Sequence, residues 1–156
     1  MASFVLEISY AQLAVFDASL AQPFNDWSDA HVRQGFSWRP GSVSLRTIES
    51  TGPIAVQVFQ SRTLDVGTSR AERIITVPFT VPVSGEIEVA SIMYGASLLL
   101  PASEYELTFE HGTSTEAGMW ANLYFERALQ VVSPRIVRAD AALVPPRTFV
   151  MTAGPA

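Results

Sequence analysis

Cysteine is absent from the chain, so a disulfide framework, a thiolate zinc site and a Cys nucleophile are all excluded. Lysine is absent as well, and every basic residue is Arg. A Ser-x-x-Lys pair is therefore impossible, and neither a Gly-x-Ser-x-Gly elbow nor a Gly-rich phosphate loop occurs. Only two histidines are present, His31 and His111, with no ligand-rich cluster around either, which argues against a metal centre or a metal cofactor. Long apolar runs are missing too: none approaches the roughly 18 residues that a spanning helix needs. Residues 1–10 lack a cationic region and already alternate like a strand, so a secretory signal is not expected and the expected location is the cytoplasm.

What is present suits one folded domain. Of 156 residues, 48% are hydrophobic and 16% charged, enough apolar material for a core without a covalent staple. Ten basic residues face fifteen acidic ones, for a net charge of -5. Such a surface repels phosphate, so direct nucleic-acid binding is disfavoured and a basic protein partner is favoured.

Period-2 alternation dominates the chain. In 73–81, Ile75, Val77, Phe79 and Val81 are apolar with Thr76 and Thr80 between them; a turn at 82–85 leads into 86–91, and the two segments read as a hairpin. The cleanest strand is 105–110, with Tyr105, Leu107 and Phe109 facing in and Glu104, Glu106, Thr108 and Glu110 facing out. Weaker candidates are 5–9, 13–17, 42–48, 54–60, 98–100, 119–126 and part of 135–143. About eight to ten short strands separated by Gly, Pro and Ser predict an all-β, single-domain antiparallel sandwich. One short helix is expected near 28–34, with Ser28 as N-cap, Asp29 in the first turn and Gly35 at the end. The domain is expected to span 1–143, and the Pro-rich tail 144–156 is expected to run over the surface or be partly mobile.

Candidate chemistry is sparse. Glu110, His111, Ser114 and Glu116 fall together beside Gly112, and a His among carboxylates can act as a general base. Polar loops collect such residues by composition alone, so His111 is expected in a turn and His31 on a helix surface, with no catalytic residue assigned. Two features suit partner binding instead. Glu104, Glu106 and Glu110, together with Glu86 and Glu88, would form one acidic face if their strands share a sheet; carboxylates about 6.8 Å apart along a strand approximate phosphate spacing. The same pattern also describes an ordinary solvated face. The second feature is Asp26-Trp27-Ser28-Asp29, where Trp27 would anchor an interface and Asp26 and Asp29 would meet a partner's Arg or Lys; equally, Asp26 and Ser28 would cap the helix and Trp27 would close the sandwich end. A third pattern, Trp27, Trp38, Trp120 and Tyr124 lining a sugar-binding groove, is the alternative to a purely structural or interaction sandwich.

Several segments taken in order, 8–16, 26–29, 35–36, 76–81 with Gly85, 91–93 and 100–101 with 105–108, resemble the competence protein J family over residues 6–111. The resemblance implies a small, non-enzymatic intracellular inhibitor that binds a DNA-entry-type nuclease and needs no cofactor. It transfers no motif that fixes the contact residues, and association with further copies of the chain is left open. The inhibitory role would come from an acidic surface steered into a positive nuclease cleft.

Overall fold

A computed structural model of the chain describes residues 2–116 and 118–156; Met1 and Ala117 lie outside the described residues. Eleven strands and one helix follow in order: β1 (Ala2–Ile8), β2 (Gln12–Asp17), α1 (Asp29–Gln34), β3 (Phe36–Arg39), β4 (Ser42–Arg46), β5 (Gly52–Gln60), β6 (Arg73–Val81), β7 (Glu86–Ala90), β8 (Gly95–Leu99), β9 (Ser103–Ser114), β10 (Gly118–Arg127) and β11 (Arg135–Arg138). They form a six-stranded sheet in the order β1-β5-β10-β9-β6-β11 and a five-stranded sheet in the order β3-β4-β2-β7-β8. Pairing is antiparallel except between β5 and β10, which run parallel. The fold is the expected all-β sandwich with one short helix.

The core lies between the sheets and follows the alternation. Leu13 and Val15 of β2, Val43 and Leu45 of β4 and Ile87 and Val89 of β7 meet Val56, Val77, Leu107, Phe109 and Leu123 of the larger sheet, all essentially without solvent contact. Burying a side chain of this size stabilises the fold by about 1.5–3 kcal/mol.

Segments 73–81 and 86–91 do not form the expected hairpin. β6 pairs with β9 and β11, whereas β7 pairs with β2 and β8 in the other sheet. The turn, closed by Gly85 N–H to Pro82 O at 2.8 Å, carries the chain across the sandwich instead of folding it back. Glu86 and Glu88 therefore stand on a different sheet from Glu104 and Glu106, and the single five-carboxylate face does not exist.

Both outer faces are partly covered. Residues 18–28 cross the smaller sheet, where Ala14, Ser37, Ser42 and Ser44 are small enough to let the chain lie close. Asn25 fastens this crossing by donating from Nδ2 to Ser37 O at 2.8 Å and Ser42 O at 3.1 Å. Ser42 and Ser37 return hydroxyl hydrogen bonds to Pro23 O and Asp26 O. On the larger sheet, residues 61–72 perform the same task over Phe59, Tyr124 and Glu110.

Helix α1 is fixed at both ends. Ser28 Oγ accepts the His31 N–H, and His31 Nδ1 accepts the Ser28 N–H at 3.0 Å, a capping box in which His takes the usual Glu position. Gly35 ends the helix at φ +88°, and a Cβ there would sit 2.9 Å from both Ile75 and Leu143, so this position needs glycine for conformation and for space. Replacing Ser28 by Ala is expected to cost about 1 kcal/mol and to lower the thermal midpoint by roughly 2–4 °C, read by circular dichroism melting.

Candidate protein-binding site

The crossing segment, the start of α1 and the tail converge at one end of the smaller sheet. Trp27 emerges from the crossing half-buried, its indole Nε1 donating to Gln12 Oε1 at 3.3 Å and its ring edge-on to His31 at 6.4 Å. A concavity of about 450 Å³ on one side is lined by Asp26, Trp27, Ser28, His31 and tail residues from Val150 to Gly154. On the other side, one of about 550 Å³ is lined by Tyr10, Gln12, Trp27, Val32, Arg46 and Ala156, among others. Trp27 is thus a ridge between two hollows, flanked by the exposed carboxylates of Asp26 and Asp29.

The tail shapes this end. Gln34 exchanges two hydrogen bonds of 2.9 Å with the Val150 backbone, and His31 Nε2 donates to Thr152 O at 2.9 Å. Asp26 N–H donates to Gly154 O at 2.8 Å while its Oδ1 accepts the Gly154 N–H at 2.9 Å. Residues 150–156 therefore lie over the surface under hydrogen-bond control rather than loosely. His31, expected on the surface, is buried because the tail covers it.

Tyr10 is a residue that pattern reading missed. It is 80% exposed at the rim of the larger hollow. It and Ala11 adopt φ of 57° and 53°, a left-handed pair without glycine, held by Ala11 N–H to Ser50 O and Thr47 N–H to Ala11 O. Such backbone strain collects where a loop must present a side chain in one direction. Two adjacent non-glycine residues give no advance sign of positive φ.

The remaining acids separate. Glu86 is exposed and Glu88 half-buried on β7. Glu104 accepts a 2.6 Å hydrogen bond from Thr80, and Glu106 pairs with Arg135 at 2.8 Å. Glu110 points outward by parity but is only 5% exposed. Residues 61–72 cover it, and it accepts from Ser69, Asn122 and Tyr124, so it is removed from any binding surface. Burial, and then the Glu110 charge, push the Tyr124 hydroxyl up to about 12.

His111 is not in a turn. It continues the inward row of β9, stacked on Phe109 at 4.9 Å and free of solvent. Its Nε2 accepts the Ile48 N–H at 2.9 Å, which leaves the proton on Nδ1 to donate to Trp120 O at 2.7 Å. Burial lowers its pKa to about 4. With both ring nitrogens committed to backbone, His111 has no lone pair for general-base work. Beside it, buried Arg73 grips Asp140 with two hydrogen bonds of 2.7 and 2.9 Å and donates to Arg46 O. Burial alone would raise the Asp140 pKa, but the Arg73 hydrogen bond and charge hold it below the usual carboxylate range.

Nor do the aromatic residues share a groove. Trp38 Nε1 donates to Pro78 O at 2.8 Å, the Trp120 ring lies over Gly112, and Tyr124 stacks on Phe59 on the outer face of the larger sheet. Among the described residues no group of three or more His, Asp or Glu could hold a metal ion, and no helix is long and apolar enough to cross a membrane.

A family model described as competence protein J matches residues 5–126. The DNA-entry nuclease inhibitor of Bacillus subtilis (strain 168) is 31% identical over 127 residues, spanning 81% of this chain and 93% of that protein. The crystal structure of ComJ, inhibitor of the DNA degrading activity of NucA, from Bacillus subtilis superposes with a TM-score of 0.68 at 26% identity, covering 82% of this chain and 96% of that one.

Proposed function

Because the chain belongs to the competence protein J family, we propose that it binds and blocks a DNA-entry-type nuclease, and that the Asp26–Asp29 face around Trp27 is the surface that meets the enzyme. The observation that carries the activity is the 31% identity to a DNA-entry nuclease inhibitor across 93% of that inhibitor's length. The surface is supported by the Trp27 ridge between two hollows, by the exposed carboxylates of Asp26 and Asp29, and by Tyr10 on the rim. An enzyme that cuts DNA holds a polyanion in a positive cleft; a protein of net charge -5 is steered towards that cleft, and a seated Trp excludes the substrate.

Glu86 and Glu88 add to the steering field from the outer face of the same sheet, and Glu104 and Glu106 lie on the opposite sheet. The test compares paired neutral variants in a DNA-degradation assay. Asp26→Asn with Asp29→Asn keeps the Oδ1 acceptor for Gly154 yet is expected to weaken inhibition about tenfold and to flatten its salt dependence. Glu104→Gln with Glu106→Gln is expected to change it less than about twofold. The opposite ranking would move the binding surface to the larger sheet.

A further inference from the structure

The family match ends at residue 126, so residues 127–156 extend beyond it. This extension is built into the fold at successive points. β11 pairs with β6, and Asp140 accepts the two hydrogen bonds of buried Arg73. Leu143 is buried beside Gly35, and Val144 N–H donates to Arg33 O at 2.8 Å. Phe149 stacks on Phe36 at 5.7 Å, and at the end Pro155 bridges to Asn25 while Ala156 N–H donates to Phe24 O at 2.9 Å. The path thus leads to the Trp27 face. From Val150 to Gly154 the hydrogen bonds that hold the tail engage its backbone, through Gln34, His31 and Asp26. The tail itself, 148–156, has no charged side chain, and Val150, Thr152, Ala153 and Gly154 are four of the eight residues that line the hollow of about 450 Å³ beside Trp27.

We propose that residues 150–154 are part of the nuclease-binding surface, and that the hollow they make with Asp26 and Trp27 receives an Arg or Lys side chain of the enzyme. This rests on the reading of the Asp26–Asp29 face as the surface that meets the nuclease. The nuclease is the occupant because the hollow is continuous with that face: Asp26, Trp27 and Ser28 form one wall and the tail forms the other, so a partner seated on Trp27 meets both. The chemistry of the walls selects a long cationic side chain. Its aliphatic stem packs on Trp27, Val150 and Ala153, and its head reaches the exposed Asp26 carboxylate, whose Oδ1 accepts the Gly154 N–H and whose Oδ2 faces the hollow beside Gly154. Because backbone hydrogen bonds already order the tail wall, little further conformational entropy is lost when the enzyme closes on it. The extension therefore adds a contact with the nuclease to those that the family-matched residues make.

Hydrogen exchange of the full chain, alone and with an excess of a DNA-entry-type nuclease whose DNA degradation is assayed in the same buffer, tests this. The amides of 148–156 are expected to exchange about tenfold more slowly in the complex, because the enzyme covers them. Unchanged exchange under full inhibition would make the tail a scaffold alone, and faster exchange would mean that the nuclease displaces it; either result overturns the proposal and leaves the inhibitor reading standing. Absence of inhibition overturns that reading and the tail contact with it. Thr152→Trp fills the hollow without changing the charge, and since Thr152 is held through its backbone oxygen, the thermal midpoint is expected to stay while inhibition weakens about tenfold. Ala153→Gln supplies the same readout should the first variant not fold. Folded variants that inhibit as tightly as the wild-type chain also overturn the proposal.

Discussion

Replacing Trp27 with Ala is expected to weaken inhibition of a DNA-entry nuclease by at least about thirty-fold, the loss that corresponds to roughly 2 kcal/mol at an interface hot spot. Trp27 is half-buried, so part of its indole is available to a partner, while its Nε1–H to Gln12 and its edge contact with His31 hold the ring in one orientation. A pre-ordered aromatic anchor loses little further entropy on binding, which is why truncating it removes more affinity than removing a flexible charge. The substitution also merges the two hollows beside it into one shallow surface. Trp27 lies outside the clusters that make the core, so the thermal midpoint is expected to fall far less than the affinity. An unchanged inhibition constant for the folded variant would place the interface elsewhere.

The second large effect is on stability against acid. His111 is neutral in the fold with a pKa of about 4, against an ordinary value of 6.5, because burial disfavours the imidazolium and Nε2 already accepts the Ile48 N–H. The unfolded chain therefore binds this proton over a pH range in which the folded chain does not. His111 stabilises fully above pH 6.5, and the contribution is lost progressively as pH falls from 6.5 to about 4, by about 3 kcal/mol in all. Asp140 acts in a lower window: its folded pKa is depressed through Arg73, so its contribution is present above the ordinary carboxylate value and disappears as pH falls through the folded one. Urea unfolding at a series of pH values is expected to show the loss beginning in the histidine window. In His111→Gln the stability is lower at neutral pH but the slope between pH 6.5 and 4 is expected to vanish. A slope of undiminished size in that variant would assign the titration to another group.

Much of the fold was legible because its strands obey simple parity. The β9 row Tyr105, Leu107, Phe109 is apolar inward and polar outward, and α1 carries its cap and its terminating glycine in plain view. Parity says nothing about which sheet a strand joins. The turn at 82–85 has the same residues whether it folds a hairpin or bridges two layers, and here it bridges them. Strand β9 runs further than the pattern implied because Gly112 marks close packing under the Trp120 ring and not a turn, which brings His111 inside. β3 escaped notice because Phe36–Arg39 is too short to show a period. Glu110 faced outward correctly, yet its burial depends on a loop whose Ser69 is distant in sequence.

The candidate site divides in the same way. Asp26, Trp27 and Asp29 stood out locally, as an aromatic between two acids ahead of a helix. The hollows beside Trp27 did not, because they are made by Tyr10 and by the tail, and the hydrogen bonds from Gln34 to Val150 and from Asp26 to Gly154 join residues more than a hundred positions apart. Short-range pattern cannot supply such pairings.

The most direct measurement titrates the full chain into a DNA-degradation assay with a DNA-entry-type nuclease at low and at high salt. Binding through an acidic face with a Trp anchor predicts stoichiometric inhibition at low salt that weakens, without vanishing, as salt rises. Undiminished DNA degradation at a large excess of the folded protein would contradict the account.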